Sequence, residues 1–346
     1  MSPAGRSGEG HNPSVKDVGR LAGVSLGTVS NVLNHPDRVR PATRERVEQA
    51  IATLGFVRNE SARQLRAGQS RVLAYLVPTT DNTFFTDVAR GARRAAAENQ
   101  LAMFLCSSDE DRDQEVDHLQ LLGQQRVQGV LLTPVTRAPA KELAVLRRQG
   151  VAVVLVDRAA TGTAFCSVAV DDVLGGHLAV SHLLGLGHRR IAFLGSPETH
   201  YQVADRLTGA RRAIAEADLS PDSLTVITTS EMSMAAGWAA GPEVRRGGAR
   251  RRPTGAYCAN DLLAIGLLQY AVGQRWQVPG DLALVGHDDI QFAAGAAVPL
   301  TSVRQPRTEL GETAVRLLQA ERDEPDHQHQ HVTFAPDLVV RASTTA

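Results

Sequence analysis

Apolar residues near the start of the chain recur with the period of an α-helix. Within residues 14–58 they predict three short helices, of which the first ends at Gly23 and the second begins after Ser25 as its N-cap. The third helix starts at Pro41, whose missing N–H group costs little at the first helical position, and it ends at Gly55. Three helices in so short a segment predict a very small all-α domain.

The rhythm changes at Arg71, where short apolar runs begin to alternate with longer helical stretches. Near-continuous runs of Val, Ile and Leu are typical of strands buried in a parallel sheet, and helices between them indicate βαβ units. The predicted strands are Val72–Val77, Leu101–Leu105, Gly129–Thr133, Val151–Val156, Ile191–Leu194, Leu224–Thr228, Gly255–Cys258 and Leu282–Gly286. These units are more numerous than the strands that a single open sheet usually contains. We therefore predict an α/β body of two lobes with parallel sheets, which binds ligands at the carboxyl ends of its strands.

Charge is spread unevenly along the chain. The 346 residues include 37 basic and 37 acidic side chains, so the net charge does not indicate a nucleic-acid partner. The first 70 residues, however, hold ten Lys/Arg and six Asp/Glu, an excess of four positive charges, and the remainder carries an equal negative excess. A small basic head on a mildly acidic body is the asymmetry expected when one domain binds nucleic acid.

Simple counts exclude several classes of protein. Cys106, Cys166 and Cys258 are far apart in sequence, so neither a disulfide framework nor a cysteine zinc site is expected. No run of 18 apolar residues occurs, and the polar residues 1–13 are typical of a disordered tail rather than a signal peptide. We therefore expect a cytoplasmic, nucleoid-associated protein with no membrane partner. No motif of a phosphate loop, a serine hydrolase or a zinc protease is present, so we expect neither an enzyme nor a cofactor.

The head contains the sequence VKDVGRLAGVSLGTVSNVLN at residues 15–34, which predicts a helix, a tight glycine turn and a second, capped helix. The exposed side of the second helix carries small and polar residues: Leu26, Gly27, Thr28, Ser30 and Asn31. A helix fits the major groove of B-form DNA, and hydroxyl groups beside a helix N-terminus suit phosphate oxygens. The pattern favours a DNA-binding helix-turn-helix, with a plain three-helix bundle as the alternative.

This stretch and its continuation, RPATRERVEQAIATLGFVRNESARQLRAG, resemble the head of the lactose-repressor (LacI) family of bacterial transcription regulators. The resemblance implies that Leu26, Gly27 and Asn31 read base edges. It also implies that Ser25, Thr28 and Ser30 contact phosphates or cap the helix. Because Gly27 has no side chain, the operator sequence cannot be deduced from these residues.

The segment Asn59–Leu65 resembles the family's hinge helix, which orders on DNA and inserts a leucine from each subunit into the minor groove. Leu65 matches that leucine, Arg66 is its basic neighbour, and Asn59 begins the matching segment. An isolated helix of this length is marginal in water, and apolar wedges are a known device of minor-groove binders. The alternative is a disordered linker.

The body continues the match almost to the end of the chain, with motifs such as VLVDR, DRLTG, CANDLLAIG and LALVGHDD. It resembles the two-lobed periplasmic sugar-binding fold, which these regulators use to sense a small effector. The residues that the resemblance places in the cleft are Phe84 or Phe85, Asp157, Arg206, Asn260 and Asp288. Their donors and acceptors suit the hydroxyl groups of a sugar or the edge of a nucleobase-like metabolite.

Two departures from the family pattern affect the expected effector. Many relatives have an aromatic residue where this chain has Met232, so a stacking platform is either missing or supplied by Trp238. The usual Asn-Pro-Phe-Phe sequence is replaced here by Asn-Thr-Phe-Phe at residues 82–85. Both differences concern the identity of the effector rather than the fold.

The predicted organisation has four parts. They are a tail at 1–13, a helix-turn-helix domain at 14–58, a hinge helix and linker at 59–70, and the body at 71–346. Within the body, lobe 1 is expected at about 71–165 and 298–325, and lobe 2 at about 166–297 and 326–346. The chain stops at RASTTA without the leucine-rich helix of tetrameric relatives, so we expect a homodimer on a near-palindromic operator.

His327, His329 and His331 alternate near the end of the chain, and on a strand they would place three imidazoles on one face as a metal site. The polar sequence after Pro325 favours a solvated connection between the lobes instead. Two other functions fit the whole chain less well. A free transport protein would need a signal peptide and no DNA-binding head, and an enzyme would need a nucleophile, a base or a metal cluster. The sequence therefore favours a repressor controlled by an effector.

Overall fold

The computed structural model describes most of the chain in two units, Met1–Gly68 and Gln69–Ala346. The described residues are 13–56, 70–136, 138–158, 164–196, 200–246, 252–324 and 326–345. The predicted hinge residues Asn59, Leu65 and Arg66 lie outside these ranges, as do residues 1–12 of the predicted tail. None of the helices in these ranges is both long and apolar enough to cross a membrane.

The first unit contains the three predicted helices. They are α1 (Val15–Ala22), α2 (Leu26–Asn34) and α3 (Pro41–Leu54), with a short 3-10 turn at Pro36–Arg38. Gly23 and Gly55 end α1 and α3 with positive φ angles of 65° and 61°, as the sequence predicted. The small core is formed by Val18, Ala22, Val29, Val32, Val47, Ala50 and Phe56.

The second unit contains two six-stranded sheets. The first sheet has the order β11-β5-β4-β3-β1-β2, formed by β1 (Val72–Val77), β2 (Ala102–Ser107), β3 (Gly129–Leu132), β4 (Ala152–Val156), β5 (Cys166–Val170) and β11 (His331–Phe334). The second has the order β12-β10-β9-β8-β6-β7, formed by β6 (Ile191–Gly195), β7 (Leu224–Thr228), β8 (Gly255–Cys258), β9 (Ala283–Asp288), β10 (Thr301–Arg304) and β12 (Asp337–Val339). All pairings are parallel except that of β10 with β12.

Helices cover the faces of both sheets. They are α4 (Thr83–Glu98), α5 (Arg112–Gln124), α6 (Ala140–Arg148), α7 (Asp172–Gly185), α8 (Tyr201–Glu216), α9 (Met234–Ala239), α10 (Gly241–Val244), α11 (Asp261–Gly273), α12 (Gln291–Ala294) and α13 (Arg307–Asp323), with a 3-10 turn at Pro221–Ser223. The fully apolar burial of strands such as β4 is what parallel sheets covered on both faces require.

The predicted eight strands are present, but the predicted lobe boundaries are wrong by several residues. Residues 166–170 were expected to open lobe 2, yet they form β5, which pairs with β4 in the first sheet. Residues 301–304 were expected in lobe 1, yet they form β10, which pairs with β9 in the second sheet. Residues 331–334 were expected in lobe 2, yet they form β11, which pairs with β5. The eight predicted strands did not include β5, β10, β11 or β12. An apolar run shows that a strand exists, whereas its partner is chosen by backbone hydrogen bonds between segments distant in sequence.

Each lobe contains a pair of helices that approach closely through glycine. In the first lobe, a Cβ atom on Gly91 of α4 would overlap the carbonyl group of Thr308 on α13, and one on Gly311 would overlap that of Val88. In the second lobe, Gly176 of α7 faces the backbone of α8 at Arg206 in the same way. Because backbone lies where a side chain would be, neither helix can yield by a change of rotamer.

We expect Gly176→Ala to destabilise the body by about 1–3 kcal/mol, because the added methyl group forces α7 and α8 apart. Gly185 lies on the same helix and is exposed, and a methyl group added there would meet no other atom within 4 Å. Gly185→Ala should therefore leave stability unchanged or raise it by up to about 1 kcal/mol. Urea denaturation followed by circular dichroism distinguishes the two variants. Equal midpoints would contradict the close helix contact.

Candidate functional site

In the first unit, helix α2 exposes one face to solvent, and this face carries both polar and apolar residues. Its N-cap Ser25 accepts a hydrogen bond from the Thr28 amide at 3.1 Å, and the two hydroxyl oxygens lie 2.9 Å apart. Val29 and Val32 on the opposite face are buried in the core. Leu26 is consequently turned outward and is 47% exposed.

The remaining predicted contact residues lie on this same face. Asn31 is exposed, and Ser30 is half-buried and receives hydrogen bonds from the Asn34 amide at its carbonyl oxygen and hydroxyl. A Cβ atom on Gly27 would meet only the Ser25 hydroxyl, at 3.7 Å, so the helix itself does not require glycine there.

The second unit contains a cavity of about 340 Å³ at the carboxyl ends of strands from both sheets. All six residues predicted for the effector site line it: Phe84, Phe85, Asp157, Arg206, Asn260 and Asp288. Asp157 follows β4, Asp288 ends β9, and Asn260 follows β8. The strands therefore deliver these side chains to one place although they are far apart in sequence.

Asp157 offers a buried hydrogen-bond acceptor to the cavity. The Gln202 amide donates to its carbonyl oxygen at 2.7 Å and to Oδ2 at 3.1 Å, whereas Oδ1 is buried and has no hydrogen-bond partner among the described residues. Burial, together with the charge of Asp172, raises the pKa of Asp157 well above its usual value. A buried oxygen without a partner costs free energy, so a ligand hydroxyl group that forms a hydrogen bond with Oδ1 would stabilise the complex. The backbone φ of 55° at Asp157 is a strained conformation for a residue other than glycine.

Arg206 is buried and bound by carboxylates of the same lobe. Its Nε donates to Asp172 Oδ1 at 2.7 Å, its Nη1 donates to the Ala259 carbonyl at 2.5 Å, and Nη1 lies 3.8 Å from Asp288 Oδ1. Burial opposes the charge, but the nearby carboxylates outweigh it and raise the pKa of Arg206. Arg206 therefore holds the structure together through its ion pair with Asp172 and also forms part of the cavity wall.

Asp288 joins the two lobes across the cavity. Its Oδ2 accepts a hydrogen bond from Asn82 Nδ2 at 3.1 Å, and its Oδ1 accepts one from Gln305 Nε2 at 2.7 Å. Asn82 also caps α4, because its Oδ1 accepts from the Phe84 amide at 3.0 Å, and this bond fixes which amide atom faces Asp288. The sequence did not predict Asn82, Gln202 or Gln305 as site residues. The only signal was the place of Asn82 directly before Thr83-Phe84-Phe85.

The other predicted residues differ in how free they are to bind a ligand. Asn260 caps α11 through the Leu263 amide at 2.9 Å and donates to the Met232 carbonyl at 2.9 Å, so its amide mainly shapes the cavity wall. Phe84 belongs to the core, whereas Phe85 is half-buried, and their rings meet edge to face at 5.2 Å.

Trp238 does not supply the missing stacking platform. It is 45% exposed, does not line the described cavity, and packs edge-on against Tyr270 at 5.6 Å. Met232 lines the cavity in the place that the sequence indicated. Of the two alternatives, a missing platform or one supplied by Trp238, the second is wrong, because α9 directs the indole onto α11 instead.

Comparison with known proteins gives consistent results over the whole chain. A model of bacterial regulatory proteins of the lacI family matches residues 14–59, and a model of the periplasmic binding protein-like domain matches residues 180–344. The ribose operon repressor of Escherichia coli (strain K12) is 33% identical over 332 residues, which cover 95% of this chain and 99% of that repressor. The chain belongs to the lactose-repressor (LacI) family.

Solved structures agree with this assignment. A LacI family transcriptional regulator from Enterococcus faecium with bound ribose has a TM-score of 0.72 at 27% identity, covering 79% of this chain and 98% of that chain. The lac repressor dimer bound to operator and the anti-inducer ONPF has a TM-score of 0.83 at 24% identity, covering 97% and 100%, and so shares the fold. As a LacI-family member, the protein is a sequence-specific DNA-binding transcription regulator whose operator affinity is controlled by a small effector bound between the lobes.

We expect Asn82→Asp to make the stability of this LacI-family body depend on pH. Aspartate keeps the helix cap but places a second carboxylate beside Asp288, so one of the two must hold a proton when the lobes meet. Repulsion between the two carboxylates raises the pKa of one of them in the folded state above the unfolded value of about 3.9. The variant should match the wild type below about pH 4 and lose stability as the pH rises toward about 7.

Thermal unfolding of both proteins across this pH range measures the effect. Asn82→Ala is the matched control, because it loses the cap and the bridge without adding a charge. Its deficit relative to wild type should also grow as the pH rises, because the Asn82 amide lowers the pKa of Asp288, but by less than that of Asn82→Asp, which adds a second carboxylate. Equal pH dependence of the two variants would show that the lobes do not hold Asn82 against Asp288 in solution.

Proposed function

We propose that this LacI-family protein is a repressor, without catalytic activity of its own, whose effector is a small monosaccharide of the pentose class. The observation that carries the proposal is the unsatisfied, buried Oδ1 of Asp157 in a cavity that is also lined by a guanidinium, three side-chain amides and two phenyl rings. Dense hydrogen-bonding groups around one apolar face are what a sugar ring requires, since it presents hydroxyls at its rim and C–H groups on its faces.

The size and the polarity of the cavity both favour a small ligand. Its volume of about 340 Å³ lies at the lower end of the range of about 300–1,000 Å³ found for small-molecule pockets. The half-buried ring of Phe85 is the aromatic surface that supports one face of the ligand, and the described lining residues include no Phe, Tyr or Trp from the second lobe. A planar nucleobase, which is best held between two such surfaces, fits this cavity less well than a sugar.

The relatives support the same class of effector. The Escherichia coli protein is named a ribose operon repressor, and the Enterococcus faecium regulator holds ribose. We therefore propose Phe85, Asp157, Arg206 and Asp288 as the residues that contact the sugar, with Phe84 and Asn260 shaping the wall. Arg206→Ala is a poor test of this role, because it would also leave Asp172 buried without its counter-ion.

We propose that the head reads the operator through Leu26, Gly27 and Asn31 in the major groove, while Ser25, Thr28 and Ser30 position the helix on phosphates. The exposed face of α2 supports this assignment. Asn59, Leu65 and Arg66 complete the proposed contacts through the minor groove. Two copies of the chain act in the cytoplasm as a homodimer, because two heads match the two halves of a near-palindromic operator.

Titration of the full-length protein with ribose in a calorimeter tests the proposed effector class. We expect saturable binding that Asp157→Ala weakens by about ten- to a hundredfold, because satisfying a buried polar atom that has no partner contributes about 1–3 kcal/mol. Asp81→Ala is the control, since Asp81 is an exposed carboxylate at the rim of the same cavity. Binding of a purine base but of no pentose would overturn the proposal.

Selection of operator sequences followed by gel-shift profiling tests the proposed reading residue. Asn31→Ala should relax the preference for one base pair in each half-site by about 1–3 kcal/mol. Asn34→Ala lies one turn further along α2, where its amide bonds back to Ser30, and should leave the profile as in wild type. If the two variants show the same profile as the unmodified protein, Asn31 does not read a base.

A further inference from the structure

Three potential metal ligands meet at the amino end of β5, away from the effector cavity. Cys166 Sγ lies 3.1 Å from His327 Nε2 and 3.9 Å from His329 Nδ1. The three ligand atoms all fall within 4.8 Å of one another. Spacing along the chain could not reveal this group, since 161 residues separate Cys166 from His327.

The two distances from sulfur to nitrogen are close to those that one tetrahedral zinc ion needs. With bond lengths of about 2.3 Å to sulfur and 2.05 Å to nitrogen, a tetrahedral angle places sulfur about 3.6 Å from each nitrogen. The observed 3.1 and 3.9 Å lie on either side of that value. Cys166 is 0% exposed and the His327 side chain 3%, whereas His329 is half-buried. The site is therefore shielded and can be entered from the side of His329.

Neighbouring groups already orient the ligands as they do around bound metals. The Gln330 amide donates a hydrogen bond to Cys166 Sγ at 3.3 Å and helps to fix the position of the sulfur. Glu324 Oε2 lies 3.2 Å from His327 Nδ1, so this ring nitrogen donates to the carboxylate and Nε2 keeps its lone pair toward the sulfur. Carboxylate–histidine pairs of this kind hold the correct tautomer in zinc sites.

Two further charged groups lie beside the three ligands. Glu321 has a buried Oε2 without a hydrogen-bond partner in the described part of the chain, and its charge acts on both Cys166 and His327. Glu321 is not among the ligand atoms that lie within 4.8 Å of one another, so the fourth position of an ion is left for water. Arg147 lies near Glu321 and His329, so the site holds one opposing positive charge.

The third histidine of the run is engaged elsewhere. His331 begins β11, and its Nδ1 lies 2.9 Å from the Ser167 hydroxyl. Residues 327–330 are not a strand, so the alternating histidines do not share one face as a strand would require. The sequence favoured a solvated connection here, but two of the three imidazoles fold back onto a buried thiol.

We propose that Cys166, His327 and His329 bind one Zn²⁺ ion per chain. A thiolate with two imidazoles is a donor set that suits zinc among the available divalent ions and disfavours Mg²⁺ and Ca²⁺, which take oxygen ligands. The ion would join the start of β5 to the connection between α13 and β11, at the edge of the first sheet where β1 also begins.

The full-length protein, freed of metal by a chelator, is titrated with ZnCl₂ in a calorimeter and with Co²⁺ in an absorption spectrometer. We expect one Zn²⁺ per chain, and for Co²⁺ both tetrahedral ligand-field bands and a thiolate-to-cobalt charge-transfer band. Cys166→Ser should abolish the charge-transfer band and saturable Zn²⁺ binding, and His327→Gln should abolish the binding. Added Zn²⁺ should raise the melting temperature of the wild type but not that of these variants.

His331→Gln is the matched control within the same histidine run, and it should retain Zn²⁺ binding. Glu324→Gln tests the positioning residue and should weaken binding by about ten- to a hundredfold while keeping the Co²⁺ spectrum. The proposal fails if the wild type shows no saturable binding. It also fails if Cys166→Ser and His327→Gln bind as tightly as wild type, or if His331→Gln loses as much affinity as they do. Ribose binding should be unchanged in every variant, which separates this test from that of the effector.

Discussion

A buried guanidinium among carboxylates is the interaction on which the body depends. Arg206 connects α8 to Asp172 at the start of α7 and to Asp288 at the end of β9. Removing one member of such a buried group leaves an uncompensated charge, at a cost of about 3–5 kcal/mol. Asp288 then extends the network to Asn82 and Gln305, so the charge that shapes lobe 2 also holds lobe 1 against it.

This arrangement explains how a small ligand can control the relation between the lobes. The hydrogen bond from Asn82 to Asp288 favours the lobes together, whereas the buried Oδ1 of Asp157 is a cost that the protein alone does not offset. A ligand that satisfies Asp157 gains affinity only in the arrangement that buries it. Its differential affinity for the two lobe arrangements is what allows it to shift the equilibrium between them.

The two ends of the first sheet have different chemistry for a topological reason. In a parallel sheet all the strands have their carboxyl ends on one side, where Asp157 lines the cavity. Their amino ends are on the opposite side, where Cys166 lies beside two histidines. The start of β1 lies at the same end of the sheet as that of β5, three strand positions away. The cavity and the proposed metal site therefore lie at opposite ends of the strands of one sheet.

Local sequence signals were sufficient for much of this architecture. The glycine at position 23 and the serine at position 25 set the ends of two helices, because caps depend only on the φ angle and the side chain of one residue. The apolar runs located eight strands, and the family pattern named six residues that line one cavity. These are features that a few neighbouring residues specify.

Partner choice between distant segments was beyond the sequence. Three contacts join segments whose sequences give no indication that they meet. They are the pairing of Cys166–Val170 with the first sheet, the hydrogen bond from Asn82 to Asp288 and the packing of Trp238 on Tyr270. The sequence by itself determined the three helices of the head, eight of the twelve described strands and the class of protein, since local backbone preferences and apolar periodicity encode them. Only the tertiary structure decided which polar groups were satisfied and which were left for a ligand, because burial and hydrogen bonding are properties of the assembled body.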